Sequence, residues 1–283
     1  MSLISPEALL GRLDDPVLRL ADVRWWLTDP GKGRRDYEAA HVPGAVFVDV
    51  DADLVAAEGP GRHPLPDPAA FTARMAALGF GDEHDVVCYD DAGGTIAARL
   101  WWMLDDLGHP RVRVLDGGIG AWLAAGGPVT AKIPRREPAT LTLRPAWSRV
   151  IERRALASRL GEPGLALIDA RAAERYRGDV EPVDPVAGHI PTARSLPTAG
   201  NLAADGRFLD AASLRARFGG LGREVVTSCG SGVTACHHAL AMRVAGLPDP
   251  LLYPGSYSDW SRAGMHVATG DEPGVMSEGG QED

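Results

Sequence analysis

Short apolar runs alternate with amphipathic stretches along most of this chain. Glu224-Val225-Val226-Thr227-Ser228 reads as a strand, and Ala235-Cys236-His237-His238-Ala239-Leu240-Ala241-Met242 reads as a helix. Between them lies a tight glycine-bearing loop, Cys229-Gly230-Ser231-Gly232-Val233-Thr234. Segments such as Pro68 to Leu78 and Leu156 to Leu160 carry the spacing of amphipathic helices. Strands separated by helical stretches predict an α/β fold, with helices on both faces of a mostly parallel sheet.

The pattern occurs twice. Asp22-Val23-Arg24 answers Asp169-Ala170-Arg171, and His41-Val42-Pro43-Gly44-Ala45 answers His189-Ile190-Pro191-Thr192-Ala193. Gly117-Gly118-Ile119-Gly120-Ala121-Trp122 answers Gly255-Ser256-Tyr257-Ser258-Asp259-Trp260. Val86-Val87-Cys88-Tyr89-Asp90 to Thr95 answers Val225-Val226-Thr227-Ser228-Cys229 to Thr234. Two copies at a domain-sized period predict a duplicated domain and not a solenoid. The division expected is a first domain over 1–129, a proline-bearing linker over 130–147 and a second domain over 148–283. Pro128 precedes that linker, and Pro134, Pro138 and Pro145 lie inside it.

Composition narrows the class. The 283 residues leave room for two domains, and a net charge of −9 argues against a nucleic-acid or anionic-membrane partner. No apolar stretch approaches the roughly 18 residues that span a bilayer. The opening residues lack the basic-then-apolar pattern of a signal peptide. Three cysteines, an odd and sparse set, suit a reducing cytoplasm better than a disulfide framework. The acidic tail, Gly270 to Asp283, is expected to be mobile at its end.

Cys229 carries the chemistry. A cysteine between a strand end and a helix N-terminus faces unpaired N–H groups and the positive end of the helix dipole, which favour a sulfur anion. Two glycines let successive amides turn inward around it. The first copy has Asp90 at that position, which is no sulfur nucleophile, and Cys88 falls within the strand, where burial is expected. The second copy is therefore expected to be catalytic, with the first supplying packing and one wall of a cleft. Cys236 reads as core, and His237 and His238 as ordinary helix residues; adjacent helical histidines point about 100° apart, which disfavours zinc. No arginine stands six positions after Cys229, where Ala235 is found, which disfavours phosphate-ester chemistry. No Gly-Lys-Ser/Thr follows the loop, so it is not a nucleotide cradle. The seven tryptophans read as core and interface packing.

The loop, the paired His-x-Pro motifs and the paired Gly…Trp ends resemble the two-domain rhodanese superfamily of sulfurtransferases across nearly the whole chain. Cys-Gly-Ser-Gly-Val-Thr is similar to the loop of the 3-mercaptopyruvate branch; thiosulfate-using members carry basic residues where Gly230 and Ser231 stand. The resemblance implies tandem rhodanese-like domains with no cofactor or metal. It also implies a ping-pong reaction in which Cys229 takes sulfur from a small-molecule donor as a persulfide and passes it to a thiol, cyanide or sulfite. A thioredoxin-like reductant is one such acceptor. It nominates Asp51, His63 and Ser231 as a polar relay and Arg175 as the anchor of the donor's carboxylate, with Gly230, Gly232, Val233 and Thr234 shaping the loop. Arg177 is read as a structural neighbour paired with an acid. The branch also places a second arginine after an acidic, proline-containing segment. Here that segment is Glu181-Pro182-Val183-Asp184-Pro185, and the next arginine is Arg194. The alternatives are a thiosulfate:cyanide sulfurtransferase and a persulfide carrier or binding module for a partner enzyme.

Overall fold

A computed structural model describes residues 2–275; the end of the acidic tail lies outside them. The described chain forms two compact units. One holds residues 2–57, Leu65–Ser148 and Leu202–Ala211; the other holds Glu58–Pro64, Arg149–Asn201 and residues 212–275. The stretch read as a linker packs within the first unit. His41 and Thr130 exchange both backbone hydrogen bonds at 2.9 Å, Ala139 N–H donates to Ala76 O at 2.9 Å, and Thr142 N–H donates to Asp82 Oδ1 at 2.7 Å.

In the first unit the strands are β1 (Leu3–Ile4), β2 (Leu18–Asp22), β3 (Ala45–Phe47), β4 (Asp85–Tyr89) and β5 (Val112–Leu115). They form a parallel sheet in the order β1-β5-β4-β2-β3. The second unit has β6 (Leu165–Asp169), β7 (Arg194–Ser195), β8 (Glu224–Ser228) and β9 (Leu251–Leu252), parallel in the order β7-β6-β8-β9. A parallel bridge from Val150 to Leu252 takes the place of β1, so both sheets share one topology. The strands read as near-continuous apolar runs because parallel sheets are covered on both faces. Val87, Tyr89, Leu20 and Trp122 lie in the first core; Leu167, Val226, Tyr257 and Trp260 lie in the second. Trp26 departs from the packing expectation at 40% exposed.

The repeated motifs fasten strand ends. Arg24 Nη2 donates to Asp22 Oδ2 at 2.6 Å and to Ala40 O at 2.8 Å; Arg171 Nη2 donates to Asp169 Oδ2 at 2.7 Å and to Gly188 O at 2.7 Å. These pairs are buried, and each spans from a strand end to the loop before a His-x-Pro motif. His41 and His189 each donate from Nδ1 to the carbonyl of a tyrosine, Tyr37 at 2.7 Å and Tyr176 at 2.8 Å, and stack on its ring. Both motifs are thus structural in both halves, which explains their duplication where the nucleophile is single.

Helices follow their signals with small shifts. Asp67 caps Pro68–Ala77 by accepting from Ala69 and Ala70, with proline in the first turn, where its missing N–H costs nothing. The second expected helix spans Arg153–Ala157 and stops short of Leu160, because the chain turns there into left-handed Gly161 (φ 86°).

His237 and His238 lie on the helix Ala235–Val244, as read from the sequence, and both are fully buried there. His237 Nδ1 lies 3.1 Å from the amide nitrogen of Asn201. Neither ring nitrogen of His238 has a hydrogen-bond partner among the described residues, and its ring meets Phe218 edge-on at 5.4 Å. Burial first, then His237 and Arg217, hold the His238 pKa well below that of a free imidazole. The unfolded chain therefore takes up a proton that the native chain refuses. Stability present above the unfolded pKa of about 6.5 is lost as pH falls below it, by up to about 1.4 kcal/mol per pH unit. Urea unfolding between pH 7.5 and 5 should show this slope in the native protein and a slope shallower by one proton in His238→Leu; equal slopes would refute it.

Candidate active site

Cys229 follows β8 directly, where the strand's last carbonyl gives way to the loop. Its sulfur accepts from the backbone amides of Ser231 at 3.4 Å and Gly232 at 3.1 Å. The loop holds this shape because Gly232 sits at φ 79°, where a Cβ would lie 2.3 Å from Pro254 O. Only glycine fits there. The nucleophile's own backbone is pinned as well: Cys229 N–H donates to Ser256 Oγ at 3.1 Å, and its carbonyl accepts from Tyr257 N–H at 3.0 Å. Ser256 adopts φ 51°, a strained conformation for a non-glycine residue. Cys236 is core, as expected, and its thiol lies 3.4 Å from Gly232 O. Val233 is buried, and Thr234 leads into the helix Ala235–Val244, whose N-terminus adds its dipole to the amides.

The matching loop of the first unit shows what this backbone geometry selects. Asp90 is fully buried, and its carboxylate accepts four amides: Ala92 at 2.9 Å, Gly94 at 2.8 Å, Ile96 at 2.7 Å and Ala97 at 2.8 Å. The duplicated loop is an anion cradle in both copies. One holds a carboxylate of the chain itself, and the other offers its amides to sulfur. Cys88, two residues earlier and fully buried, has its thiol pKa pushed far up by burial and by Asp90, which makes it inert.

His63 Nδ1 lies 2.6 Å from Ser231 Oγ, and both residues are buried. Ser231 therefore presents its amide to the sulfur and its hydroxyl to an imidazole. Although His63 belongs to the first half of the sequence, it packs in the second unit, in the segment Glu58–Pro64. Asp51 belongs to the first unit, where it is exposed in the helix Val50–Asp53 and accepts from Trp25 Nε1 at 2.8 Å.

Arg175 stands beside the loop. Its Nη2 binds Glu181 Oε1 at 2.6 Å and lies 3.5 Å from Asp184 Oδ2, while its Nη1 is 3.5 Å from where a Cβ on Gly230 would be. Burial pushes the Glu181 carboxyl up, but Arg175 and the amides of Asp184 and Val183 outweigh it and keep the group below the usual carboxylate range. Arg177 pairs with Asp179 at 2.7 Å, as expected of a structural neighbour. Arg194, the next arginine in the sequence, is an exposed member of β7. The residue that sequence reasoning missed is Arg62. Its guanidinium forms an ion pair with Asp184, and its Nη2 lies 2.9 Å from the Cβ position of Gly230. Its one linear signal is adjacency to His63.

Among the described residues, no three His, Cys, Asp or Glu side chains cluster as metal ligands, and no helix is long and apolar enough to cross a membrane.

Residues 5–125 and 152–263 each match the rhodanese-like domain. The chain belongs to the rhodanese-like family. It is similar to a probable 3-mercaptopyruvate sulfurtransferase of Pseudomonas aeruginosa, 46% identical over 279 residues that cover 95% of this chain and 98% of that one. It is also similar to a putative thiosulfate sulfurtransferase of Mycobacterium tuberculosis, 41% identical over 268 residues, 92% of this chain and 93% of that one. Among solved structures, the 3-mercaptopyruvate sulfurtransferase from Leishmania major superposes with a TM-score of 0.81 at 32% identity, over 92% of this chain and 74% of that one. The α/β fold expected from the alternation of strands and helices, and the tandem rhodanese-like domains implied by the resemblance, are thus shown, and the relatives are named as sulfurtransferases.

Proposed function

We propose that this rhodanese-like protein transfers sulfur from 3-mercaptopyruvate to a thiol acceptor through a persulfide on Cys229. The observation that carries the reading is the pair of amides from Ser231 and Gly232 aimed at the Cys229 sulfur. The thiolate attacks the donor's sulfur, a sulfur–sulfur bond forms, and the donor's carbon–sulfur bond breaks. The electron pair leaves on carbon as the enolate of pyruvate, which takes up a proton. In the second half-reaction the acceptor thiolate attacks the outer sulfur, carries it away and returns Cys229 as thiolate. The loop amides bear the negative charge of sulfur before and after transfer.

The Ser231–His63 pair, at 2.6 Å, is a short path for the proton that the enolate needs. The share of Asp51 in that path rests on the family resemblance. Gly230 and Ser231, standing where thiosulfate-using relatives place cations, favour the organic donor. The three cysteines are in no disulfide, which suits a reducing cytoplasm and a thioredoxin-like acceptor.

Steady-state comparison of the two donors tests the assignment: kcat/KM is expected to be higher for 3-mercaptopyruvate, and a higher value for thiosulfate overturns it. Mass measurement after donor treatment without acceptor is expected to show one added sulfur. If that sulfur persists in the presence of small thiols, the protein is a carrier that discharges to a partner.

A further inference from the structure

We infer that Arg62 supplies, with Arg175, the second cation that grips the donor's carboxylate, and that the bare Gly230 is what admits it. This inference rests on the sulfur-transfer reading above and specifies its donor site.

The case begins with the backbone. Gly61 takes φ 79°, with its Cβ position 2.5 Å from Gly255 O, so only glycine lets this segment lie against the start of the helix Ser256–Arg262. Arg62 N–H then donates to Ser258 Oγ at 3.0 Å, which fixes where the side chain begins. The side chain is held at its far end too. Nη1 is bound by Asp184, a carboxylate with no exposed side-chain surface, while the Arg62 side chain itself is 12% exposed. Arg175 is held in the same manner by Glu181.

Two guanidinium groups thus flank the residue immediately after the nucleophile, each braced from behind by an acid. Arg62 Nε is buried with no hydrogen-bond partner among the described residues, and Nη2 lies 2.9 Å from the Cβ position of Gly230. Nη2, next to the loop, is the donor that a carboxylate there would meet. The planar forks of two arginines suit the two oxygens of a carboxylate beside the attacked sulfur. The cation that other family members place after the cysteine, or after the acidic, proline-containing segment, is here delivered from a third segment. Asp184, in that acidic segment, holds it in place. A side chain at position 230 and the Arg62 guanidinium compete for one space.

Two readouts test this in Arg62→Gln. For turnover, KM for 3-mercaptopyruvate is expected to rise about tenfold to a hundredfold, with kcat changing much less and thiosulfate kinetics changing less still. For binding without sulfur transfer, Cys229 is alkylated with iodoacetate and with neutral iodoacetamide; the preference for iodoacetate is expected to fall by a similar factor. Gly230→Ala should raise KM in the native background and add little in Arg62→Gln. An unchanged KM and an unchanged alkylation ratio, or additive effects of the two substitutions, overturn the inference. If Arg62→Gln fails to fold because Asp184 loses its nearer cation and keeps only Arg175 at 3.5 Å, Arg62→Gln with Asp184→Asn decides by the same readouts. A native protein that accepts no sulfur from either donor refutes the sulfur-transfer reading alone, since the alkylation ratio still reports on the clamp.

Discussion

Cys229→Ser is expected to fold normally and to lose sulfur transfer by about 10⁴-fold or more in kcat. The fold should survive because the site suits a hydroxyl: the position is 2% exposed, and the amides of Ser231 and Gly232 remain to satisfy an oxygen. The chemistry should not survive, because a hydroxyl is almost wholly un-ionised at neutral pH whereas a thiol is already a few per cent thiolate. Moreover, an oxygen cannot carry the outer sulfur as a persulfide. The rest of the machinery, both arginines and the Ser231–His63 pair, has nothing to act on once the sulfur is gone, so its contributions vanish together and do not add. Two measurements check this: circular dichroism with a thermal melt for the fold, and intact mass after donor treatment for the sulfur. A variant that turns over within tenfold of the native protein would show that the loop cysteine is not the nucleophile.

The surroundings of the sulfur, written in contiguous residues, were legible before the structure. Strand, cysteine, two glycines and helix follow one another without interruption, so the amides that meet the sulfur belong to the same few residues that announce it. The duplication was legible for the same reason, although the sequence did not say why Asp-x-Arg and His-x-Pro recur. Their work is to tie strand ends to neighbouring backbone, as the bonds from Arg24 to Ala40 O and from Arg171 to Gly188 O show. The proposed donor clamp is only half legible. Arg175 stood in a recognisable segment, but Arg62 reaches the site across 122 positions of sequence to its partner Asp184. No spacing rule encodes such a pair; it depends on the turn at Gly61 and on the placement of Glu58–Pro64 in the second unit. The burial of His237 and His238 was not legible, for a different reason. Polar side chains on a helix suggest an outward face, and burial on every side of this helix overrides that pattern.

Asp90 provides the sharpest test of the anion-cradle argument, because there the charge belongs to the chain and its effect is read as stability. Asp90→Ala is expected to destabilise the first unit by about 3–5 kcal/mol, the scale for leaving buried partners of a charged group uncompensated. Four amides would lose their acceptor together: those of Gly94, Ile96 and Ala97 bind the carboxylate in buried hydrogen bonds, and that of Ala92 in a part-buried one. For a unit of this size that is a fall in Tm of roughly 6–20 °C. The same geometry predicts a rescue. Removing the carboxylate leaves a carboxylate-sized space lined by inward amides, so formate should bind the variant and raise its Tm with concentration. The native protein, whose cradle is filled, should not respond beyond the general salt effect. Asp90→Asn should fall between the two, since it keeps one carbonyl oxygen to accept from part of the set. A loss under 1 kcal/mol, or equal formate responses in variant and native protein, would mean that the loop tolerates unpaired amides. The claim that this backbone is built around an anion, on which the reading of Cys229 also depends, would then fail with it.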